Sequence, residues 1–402
     1  MQAYRLAPHD ANPALQAPWY RVGVVTMRRV LPWLGVACLF LVAAVAFERR
    51  SQHEMYDFEV YRVAGTRVVA GESLYRAEDG HWQFKYLPAF AFVIAPLATM
   101  PVAWAKGVWF FLSVGLLIVL VHRSLVLLPD RRRTAGFLVG LTILAMGKFY
   151  VREVGLGQSN LLLAVLVLAA VARRRAGRDG AAGVLLAAAT IVKPYAILFL
   201  PYLLVRRRLR GAGSFLAVIL IALVIPALRY GWAGNLAQLH GWWTVVTTST
   251  APNLAGQDNI SIAGMYAAWL GVGPAAGWLS AGTALLLALA CSRAIVQGSG
   301  MPNPDYLDAA LLLFVMPLLS PQGWDYVLLV STPAVMLLLD RLDEFGPAAR
   351  WLLLGCLALA GLTLWDVFGR ESYFAFMMSR VLTVCALFEV GLVLRLRARN
   401  TA

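Results

Sequence analysis

The stretch "VAWAKGVWFFLSVGLLIVLVH", residues 102–122, decides the fold class of this chain. A helix needs about 20 mostly apolar residues to cross the hydrocarbon core of a bilayer, and this run supplies them with little interruption. Further long apolar runs begin at Val30 and recur toward the C-terminus. Of the 402 residues, 60% are hydrophobic and 14% are charged, a composition outside the soluble globular range. We predict an all-α, polytopic integral membrane protein.

The positive charge of the chain is concentrated in short clusters that separate the apolar runs. A formal net charge of +14 would suggest nucleic-acid binding if it covered one face, but clusters between spans are typical of cytoplasmic loops. We therefore predict contact with membrane lipids and no nucleic-acid partner. The clusters are "RRR" at 131–133, "RRRAGR" at 173–178, "RRRLR" at 206–210 and "RLRAR" at 395–399.

The spacing of the cysteines does not indicate a disulfide framework. Cys38, Cys291, Cys356 and Cys385 all fall inside apolar runs, without a CxxC pair or a histidine at ligand spacing. The sequence therefore predicts neither disulfides nor a metal site. Small thiols buried in helices are the expected arrangement.

Two apolar runs compete for one membrane crossing between residues 86 and 122. The arginines before Val30 and the cluster at 131–133 are both expected inside, and the first span uses one crossing, so a single further crossing is allowed. The run "YLPAFAFVIAPLATMP" at 86–101 is short and interrupted by three prolines. We predict that it forms a re-entrant or interfacial helix and that 102–122 is the span.

The segment "DGAAGVLLAAATIVKPYAILFLPYLLV" at 179–205 lies between two cytoplasmic clusters. Two crossings of about a dozen residues each are too short for ordinary spans. A helical hairpin folded at Lys193-Pro194 resolves this, because proline breaks the helix and irregular backbone at membrane depth is tolerated against protein or a wet cavity. Lys193 is then expected at the tip of the hairpin.

Continued along the chain, this threading predicts about 10–12 membrane helices with both termini cytoplasmic. We divide the chain into a cytoplasmic segment at 1–29, an integral membrane domain at 30–394 with a first external loop at 48–85, and a cytoplasmic tail at 395–402. Most polar groups that topology does not explain fall on the external side. These segments are 48–85, 147–158, the Lys193 tip, 231–260, 320–325 and 366–373.

The sequence of the first external loop predicts an amphipathic helix from Asp57 to Ala70 that Gly71 terminates. Three roles are open for Asp57 at the start of this helix. It can cap the helix N-terminus, pair with a nearby arginine, or act as a general base in a cleft.

Three cations, Lys148, Arg152 and Lys193, stand at the external ends of apolar runs. Burial of a cation is expensive unless an anion compensates it, and a substrate phosphate is one such anion. The alternative is snorkelling toward lipid headgroups. The neighbouring "GLGQSN" at 155–160 matches neither a dinucleotide fingerprint nor a Walker motif.

Five segments then follow in an order and spacing that resemble the polyprenol-phosphate-mannose-dependent mannosyltransferases of glycosyltransferase family 87, which have a GT-C fold. The resemblance covers residues from about 50 to 340, and the Asp-x-x-x-Tyr helix, Tyr-x-Pro, Gly-Gln-x-Asn and Lys-Pro motifs carry it together. The segments are "YDFEVYRVAGTRVVAGESLY" at 56–75, "FKYLPAFAFVIAPLATMPVAWAKGVWFFLSV" at 84–114, "GQSNLLLAVLVLAA" at 157–170, "AAGVLLAAATIVKPYAILFLPYLL" at 181–204 and "LLSPQGWDY" at 318–326.

The resemblance implies that Asp57 deprotonates an acceptor hydroxyl, which attacks C1 of a sugar carried on polyprenyl phosphate with inversion. Lys193, then Arg152 and Lys148, would bear the charge of the leaving phosphate. No nucleotide, cofactor or obligatory metal is implied. The expected partners are the lipid-linked donor and a lipid or glycan acceptor, at the extracytoplasmic face of a bacterial-type plasma membrane.

External polar and aromatic residues are expected to contact the substrates. Where members of the family often carry a histidine, this chain has Asp325-Tyr326 after "SPQGW". That difference leaves acceptor recognition open. The expected contacts are Tyr61, Tyr86, Gln158, Asn160, Gln257, Asn259, Trp324 and Asp325.

A transporter or flippase for a lipid-linked or anionic substrate is the alternative function, because broken helices and intramembrane charges also mark alternating-access carriers. Two features favour the enzyme. The broken-helix pattern does not recur as an internal repeat, and the polar groups gather at one face rather than at the membrane midplane.

Overall fold

A computed structural model describes residues 41–298, apart from 43 and 46, and residues 304–399. The predicted cytoplasmic segment 1–29, most of the predicted first span and the end of the tail lie outside these residues. The chain divides at Gln52 into two units. The described part of the first unit includes a π-helical turn, Phe47–Ser51, and the fold below is that of His53–Ala402.

The described residues of this unit form helices joined by turns and loops, and one isolated bridge joins Asn259 to Trp324. Helices of seven residues or more are α1 (Tyr56–Ala70), α2 (Pro88–Ala98), α3 (Val102–Leu127), α4 (Ala135–Leu156), α5 (Asn160–Arg175), α6 (Asp179–Val192), α7 (Phe199–Val205), α8 (Leu209–Val224), α9 (Ala227–Thr248), α10 (Ile262–Leu270), α11 (Pro274–Gln297), α12 (Pro304–Leu319), α13 (Thr332–Asp340), α14 (Pro347–Leu362), α15 (Trp365–Met378) and α16 (Val381–Arg399). Shorter helical segments are Gln52–Glu54, Ala77–Trp82, Pro194–Leu198, Thr250–Asn253 and Leu342–Glu344, and Asp325–Ser331 is a seven-residue 3₁₀ helix.

Within the described ranges, 3 helices are long and apolar enough to cross a membrane alone: α3, α4 and α11. Two bent pairs raise the number to 5 if each counts as one span: α8 with Ala227–Asn253, bent by 88°, and α14 with α15, bent by 106°. The predicted all-α, polytopic membrane class is confirmed. The total of about 10–12 membrane helices and the sidedness of the termini stay predictions.

The two helix interruptions predicted from proline are present. The run after Tyr86 forms only the 11-residue helix α2, and the next helix, α3, is the long apolar one. Helix α6 ends at Val192, Lys193 is extended (φ −143°, ψ 110°), and a 3₁₀ turn begins at Pro194. A residue before proline avoids the α region, so the break follows from the sequence.

Helix α1 ends at Ala70 as predicted and begins one residue before the predicted start, at Tyr56, and its C-terminus is fixed by a residue of another helix. Gly71 closes it in the left-handed conformation, at φ 74°. Arg229 donates from Nε to the Val68 carbonyl (3.0 Å) and from Nη2 to the Val69 carbonyl (2.6 Å). Carbonyls at a helix C-terminus lack helical partners and favour a nearby cation. The arginine therefore fixes the end of α1 remote from Asp57.

A glycine turn fixes the other end of α1. Gly157 has φ +70°, and a Cβ there would lie 2.7 Å from Phe58 Cβ. The indole of Trp109 donates to the Gly157 carbonyl at 2.8 Å, and its ring lies 5.4 Å from that of Phe58. The absence of a side chain at Gly157 lets α1 approach α4 and α5 at the level of Asp57.

Helices α6 and α8 touch backbone to backbone. A Cβ on Gly183 would lie 2.0 Å from the carbonyl oxygen of Gly211, which cannot rotate away as a side chain could. This contact stabilises the base of the segment that ends in Lys193.

Gly183→Ala is expected to destabilise the protein by about 1–3 kcal/mol, because the added methyl overpacks two backbones. The measurement is the apparent unfolding temperature of purified protein, followed by size-exclusion elution after heating. Gly213→Ala on α8 is the matched control, since a Cβ there meets nothing within 4 Å. Equal unfolding temperatures for the two variants would contradict the proposed contact.

Candidate active site

A cavity of about 680 Å³ lies between the N-terminal part of α1, the break after α6, and the 316–327 segment. Its size falls in the range of small-molecule sites. The polar and aromatic residues that line it are Asp57, Tyr61, His81, Trp82, Gln83, Lys85, Tyr86, Arg152, Gln158, Lys193, Tyr195, Trp242, Ser249, Thr250, Asp258, Ser320, Gln322, Trp324 and Tyr326.

Asp57 stands on the cavity wall in the first turn of α1. The N-cap of this helix is Met55 and no side chain caps it, so the capping role considered for Asp57 is wrong. The nearby arginines have other partners. Arg62 Nε donates to Glu59 at 2.9 Å, and Arg67 Nη2 donates to Asp79 at 2.7 Å. These contacts favour the third role, a base that faces a cleft.

Burial raises the pKa of the Asp57 carboxyl above its ordinary value of 3.8. A hydrogen bond from Gln158 and the charges of Lys193, His81 and Lys85 oppose this rise without cancelling it. Burial also lowers the pKa of the Lys85 ammonium from 10.5. The cavity therefore holds a carboxylate with increased proton affinity beside cations, the combination expected of a general base next to an anion-binding group.

Lys193 presents its ammonium to the same cavity. Its Nζ donates to the Tyr86 hydroxyl at 2.9 Å and to Gln158 Oε1 at 3.0 Å, and lies 4.7 Å from the centre of the Tyr86 ring. An ammonium has three N–H donors. These bonds orient the group and leave one N–H for a ligand.

Gln158 connects this ammonium to the tyrosines around it. Its Oε1 also accepts from the Tyr61 hydroxyl at 3.0 Å, and its Nε2 donates to the Tyr326 hydroxyl at 3.0 Å. The hydroxyls of Tyr61 and Tyr86 are 2.7 Å apart. The amide is thus fully engaged, and with Tyr61 and Tyr86 it holds Lys193 and Asp57 in place.

The "GLGQSN" turn has a structural anchor of its own. The buried carboxylate of Glu153 accepts from the backbone N–H groups of Asn160 (2.6 Å) and Leu161 (3.1 Å) and from Asn160 Nδ2 (2.8 Å). The N-terminus of α5 therefore binds a carboxylate of the protein where other helices bind a phosphate. Asn160 Oδ1 accepts from Tyr195 at 2.7 Å, so this side chain is occupied within the fold.

Arg152 lines the cavity but is already paired with two carboxylates. Its Nη1 donates to Asp325 at 2.8 and 3.0 Å, and its Nη2 donates to Asp258 at 2.6 Å. Asp325 is fully buried behind the arginine and also accepts from the backbone N–H of Tyr326. The charge of Arg152 is balanced, which makes it a weaker candidate for phosphate binding than Lys193.

The remaining predicted residues serve neighbouring elements. Lys148 donates to the Thr363 carbonyl at 3.3 Å and lies near the Phe149 and Tyr373 rings. Asn259 bonds to the backbone of the 321–323 segment, and the Gln257 carbonyl accepts from Arg380.

The structure therefore separates the predicted residues into two groups. Those on the cavity wall are Asp57, Tyr61, Tyr86, Arg152, Gln158, Lys193 and Trp324. Those outside the lining, as the described residues define it, are Lys148, Asn160, Gln257, Asn259 and Asp325. Substrate contact by any of them stays a prediction, and for the second group the geometry does not favour it.

Several lining residues were not predicted from the sequence. Lys85 donates to Gln322 Oε1 at 3.3 Å, and Gln322 Nε2 donates to the Ser249 and Thr250 hydroxyls. Asp258 and His81 also reach the cavity. The available signal for Lys85 was its position directly before Tyr86, as the one lysine in the predicted external loop at 48–85.

Comparison with known families gives a match over most of this region. The family model of glycosyltransferase family 87 matches residues 84–321, more than half of the chain. No curated protein matches the chain significantly.

Proposed function

Because this chain belongs to glycosyltransferase family 87, and is therefore a glycosyltransferase, we propose that it transfers mannose from polyprenyl phosphate. The acceptor is a hydroxyl of a lipid-linked or glycan molecule at the external face of the membrane, and the configuration at C1 is inverted. The observation that carries the proposal is that Asp57, Lys193 and Lys85 share one cavity. A base and two cations are the groups that such a transfer needs.

The reaction is a single displacement. The acceptor oxygen attacks C1 of the sugar as its proton passes to the Asp57 carboxylate. The bond between C1 and the phosphate oxygen breaks, and its electron pair stays on that oxygen. The leaving polyprenyl phosphate thereby gains one negative charge.

Lys193 and Lys85 are the groups that stabilise this negative charge. Both ammonium groups line the cavity, and neither has a carboxylate within hydrogen-bond distance in the described part of the chain. Positive groups held in place before the reaction stabilise a developing anion without reorganisation. Arg152 differs because two aspartates already balance it.

The acids of the cavity support inversion. A retaining mechanism needs a free carboxylate as nucleophile besides the acid or base. The described lining contains Asp57 and Asp258, and Asp258 is bound by Arg152 at 2.6 Å. Of these two acids, Asp57 is the one without an arginine partner, which supports a single displacement at C1.

A plot of kcat/KM against pH is expected to be bell-shaped, with its two limbs closer together than the ordinary pKa values of aspartate and lysine would place them. Activity rises as Asp57 deprotonates, and because the pKa of Asp57 is raised, this limb lies above pH 3.8. Activity falls as Lys85 deprotonates, and because the pKa of Lys85 is lowered, this limb lies below pH 10.5. Lys85→Arg should move the alkaline limb upward, since a guanidinium keeps its proton. An unchanged alkaline limb in that variant would exclude Lys85.

The function is tested with purified full-length protein in lipid nanodiscs and three labelled donors: mannosyl phosphoryl polyprenol, mannosyl pyrophosphoryl polyprenol and a nucleotide mannose. Membrane lipid extract supplies the acceptor. Transfer from the monophosphate donor alone, with an inverted anomeric configuration by NMR, is the expected result. Transfer from the nucleotide would refute the proposed donor. Movement of the donor across vesicles without transfer would favour a transporter.

A further inference from the structure

Asp258 carries an oxygen atom without a partner. Its Oδ2 accepts from Arg152 Nη2 at 2.6 Å, whereas its Oδ1 is buried and has no hydrogen-bond donor in the described part of the chain. A carboxylate can accept about four hydrogen bonds, and buried polar atoms in proteins nearly always have at least one partner. Asp258 lines the cavity and its side chain keeps 17% of its surface exposed, so a ligand hydroxyl can approach this carboxylate although Oδ1 itself lies below the surface.

The loop that carries Asp258 is fixed by an unusual arginine. Arg380 has φ +62°, a conformation rare for residues other than glycine, and its guanidinium is buried. It donates hydrogen bonds of 2.8–3.0 Å to the carbonyls of residues 255, 256, 257 and 259. The accepting carbonyls lie on both sides of Asp258 in the sequence, so these bonds fix the backbone of the loop at Asp258.

The loop is joined on its other side to Trp324. Asn259 and Trp324 form a β-bridge, and the backbone N–H of Asp325 donates to the Asp258 carbonyl at 2.9 Å. The indole of Trp324 and the carboxylate of Asp258 therefore lie on adjacent backbone segments and line the same cavity. A flat aromatic surface beside a hydroxyl-accepting carboxylate suits a sugar ring, which has an apolar face and a polar edge.

Contacts lead from this pair to the phosphate-facing cation. Arg152 lies over the ring of Tyr326, 5.6 Å from its centre. The Tyr326 hydroxyl accepts from Gln158, and Gln158 accepts from Lys193. Three side chains, Arg152, Tyr326 and Gln158, thus connect Asp258 to Lys193, which favours the sugar bonded to the donor phosphate as the partner of Asp258.

We propose that Asp258 and Trp324 form the subsite for the transferred sugar, with the Asp258 carboxylate accepting a hydrogen bond from one of the sugar hydroxyls. This inference rests on the proposed function, and adds to it the residue that selects the sugar. A site built to bind a hydroxyl rejects an analogue that lacks it, because the protein group is left unpaired.

The test measures kcat/KM for mannosyl phosphoryl polyprenol and its 2-, 3-, 4- and 6-deoxy analogues, with wild-type protein and Asp258→Asn. With the wild type, kcat/KM for one of the deoxy donors should be about 10- to 100-fold lower than for the parent donor, the effect of losing a hydrogen bond to a charged group. In Asp258→Asn the parent donor should fall by a similar factor, and that deoxy donor should fall little further. Asp325→Asn is the control, since Asp325 binds the same Arg152 from outside the cavity lining. Asp325→Asn should change kcat/KM for the parent donor and for every deoxy donor by the same factor.

The outcomes separate the two proposals. No transfer from the parent donor by the wild type overturns the proposed function and, with it, the sugar assignment. Transfer in which no deoxy position costs more than about threefold overturns the subsite alone. A penalty that persists in folded Asp258→Asn also overturns it. If that variant misfolds, Asp258→Glu keeps the charge and shifts the carboxylate by one methylene, and the hydroxyl penalty should shrink.

Discussion

Asp57→Asn is expected to lower kcat for sugar transfer by about 10²–10⁴-fold, the usual contribution of a general base. The amide is nearly the same size as the carboxylate, so the cavity keeps its shape. It cannot take the acceptor proton, and an unassisted hydroxyl is a poor nucleophile. Donor binding should change little, because Lys193 and Lys85 keep their charges.

The measurement is steady-state transfer of labelled sugar with wild type and variant side by side, at several donor concentrations. Glu59→Gln is the matched control, two residues further along α1. Its carboxylate is bound by Arg62 at 2.9 Å and lies outside the cavity lining. This control should retain activity within about twofold. Full activity in Asp57→Asn would move the base to another residue.

Lys193→Met is expected to lower kcat by about 10²–10³-fold, the loss typical of removing one preorganised group that stabilises a developing anion. Methionine is unbranched like lysine and only one atom shorter, but it carries no charge. The two bonds to Tyr86 and Gln158 fix the direction of the ammonium, so another cation cannot easily replace it. Donor KM should rise as well, since the phosphate is already charged before the reaction.

Lys148→Met provides the comparison for Lys193. Both residues are lysines predicted from the sequence to bind phosphate, but Lys148 is half-buried, lies outside the cavity lining and donates to the Thr363 carbonyl. Its loss should cost less than about tenfold, through helix packing alone. Equal losses of kcat in the two variants would refute the role of Lys193.

The sequence predicts those parts of the site that depend on local rules. Proline imposes the extended backbone at Lys193, and Gly71 ends α1 because glycine accepts a positive φ. The apolar length of α3 identifies it as a membrane helix. Each of these features depends on a few consecutive residues, so no knowledge of the tertiary structure is needed.

The partners of the charged residues could not be predicted in the same way. Arg152 binds Asp258 and Asp325, which are 106 and 173 residues away in the chain. Helix periodicity shows that Arg152 is near the external end of α4, but it does not show which acids fold against it. The sequence-based argument for phosphate binding by Arg152 therefore could not take these two aspartates into account. Lys85 was overlooked for the converse reason, since its neighbours in the cavity come from distant segments.

The backbone contact between Gly183 and Gly211 also affects the position of the Lys193 ammonium, because a small rotation of α6 at this contact displaces its far end. From Gly183 to Lys193 the chain rises about 15 Å along the axis of α6. A rotation of about 5° around this pivot would displace the ammonium by about 1.3 Å, enough to lengthen a hydrogen bond beyond its useful range. The packing of Gly183 against Gly211, far from the cavity, thus helps to fix the position of the Lys193 ammonium, as the side chains beside it do.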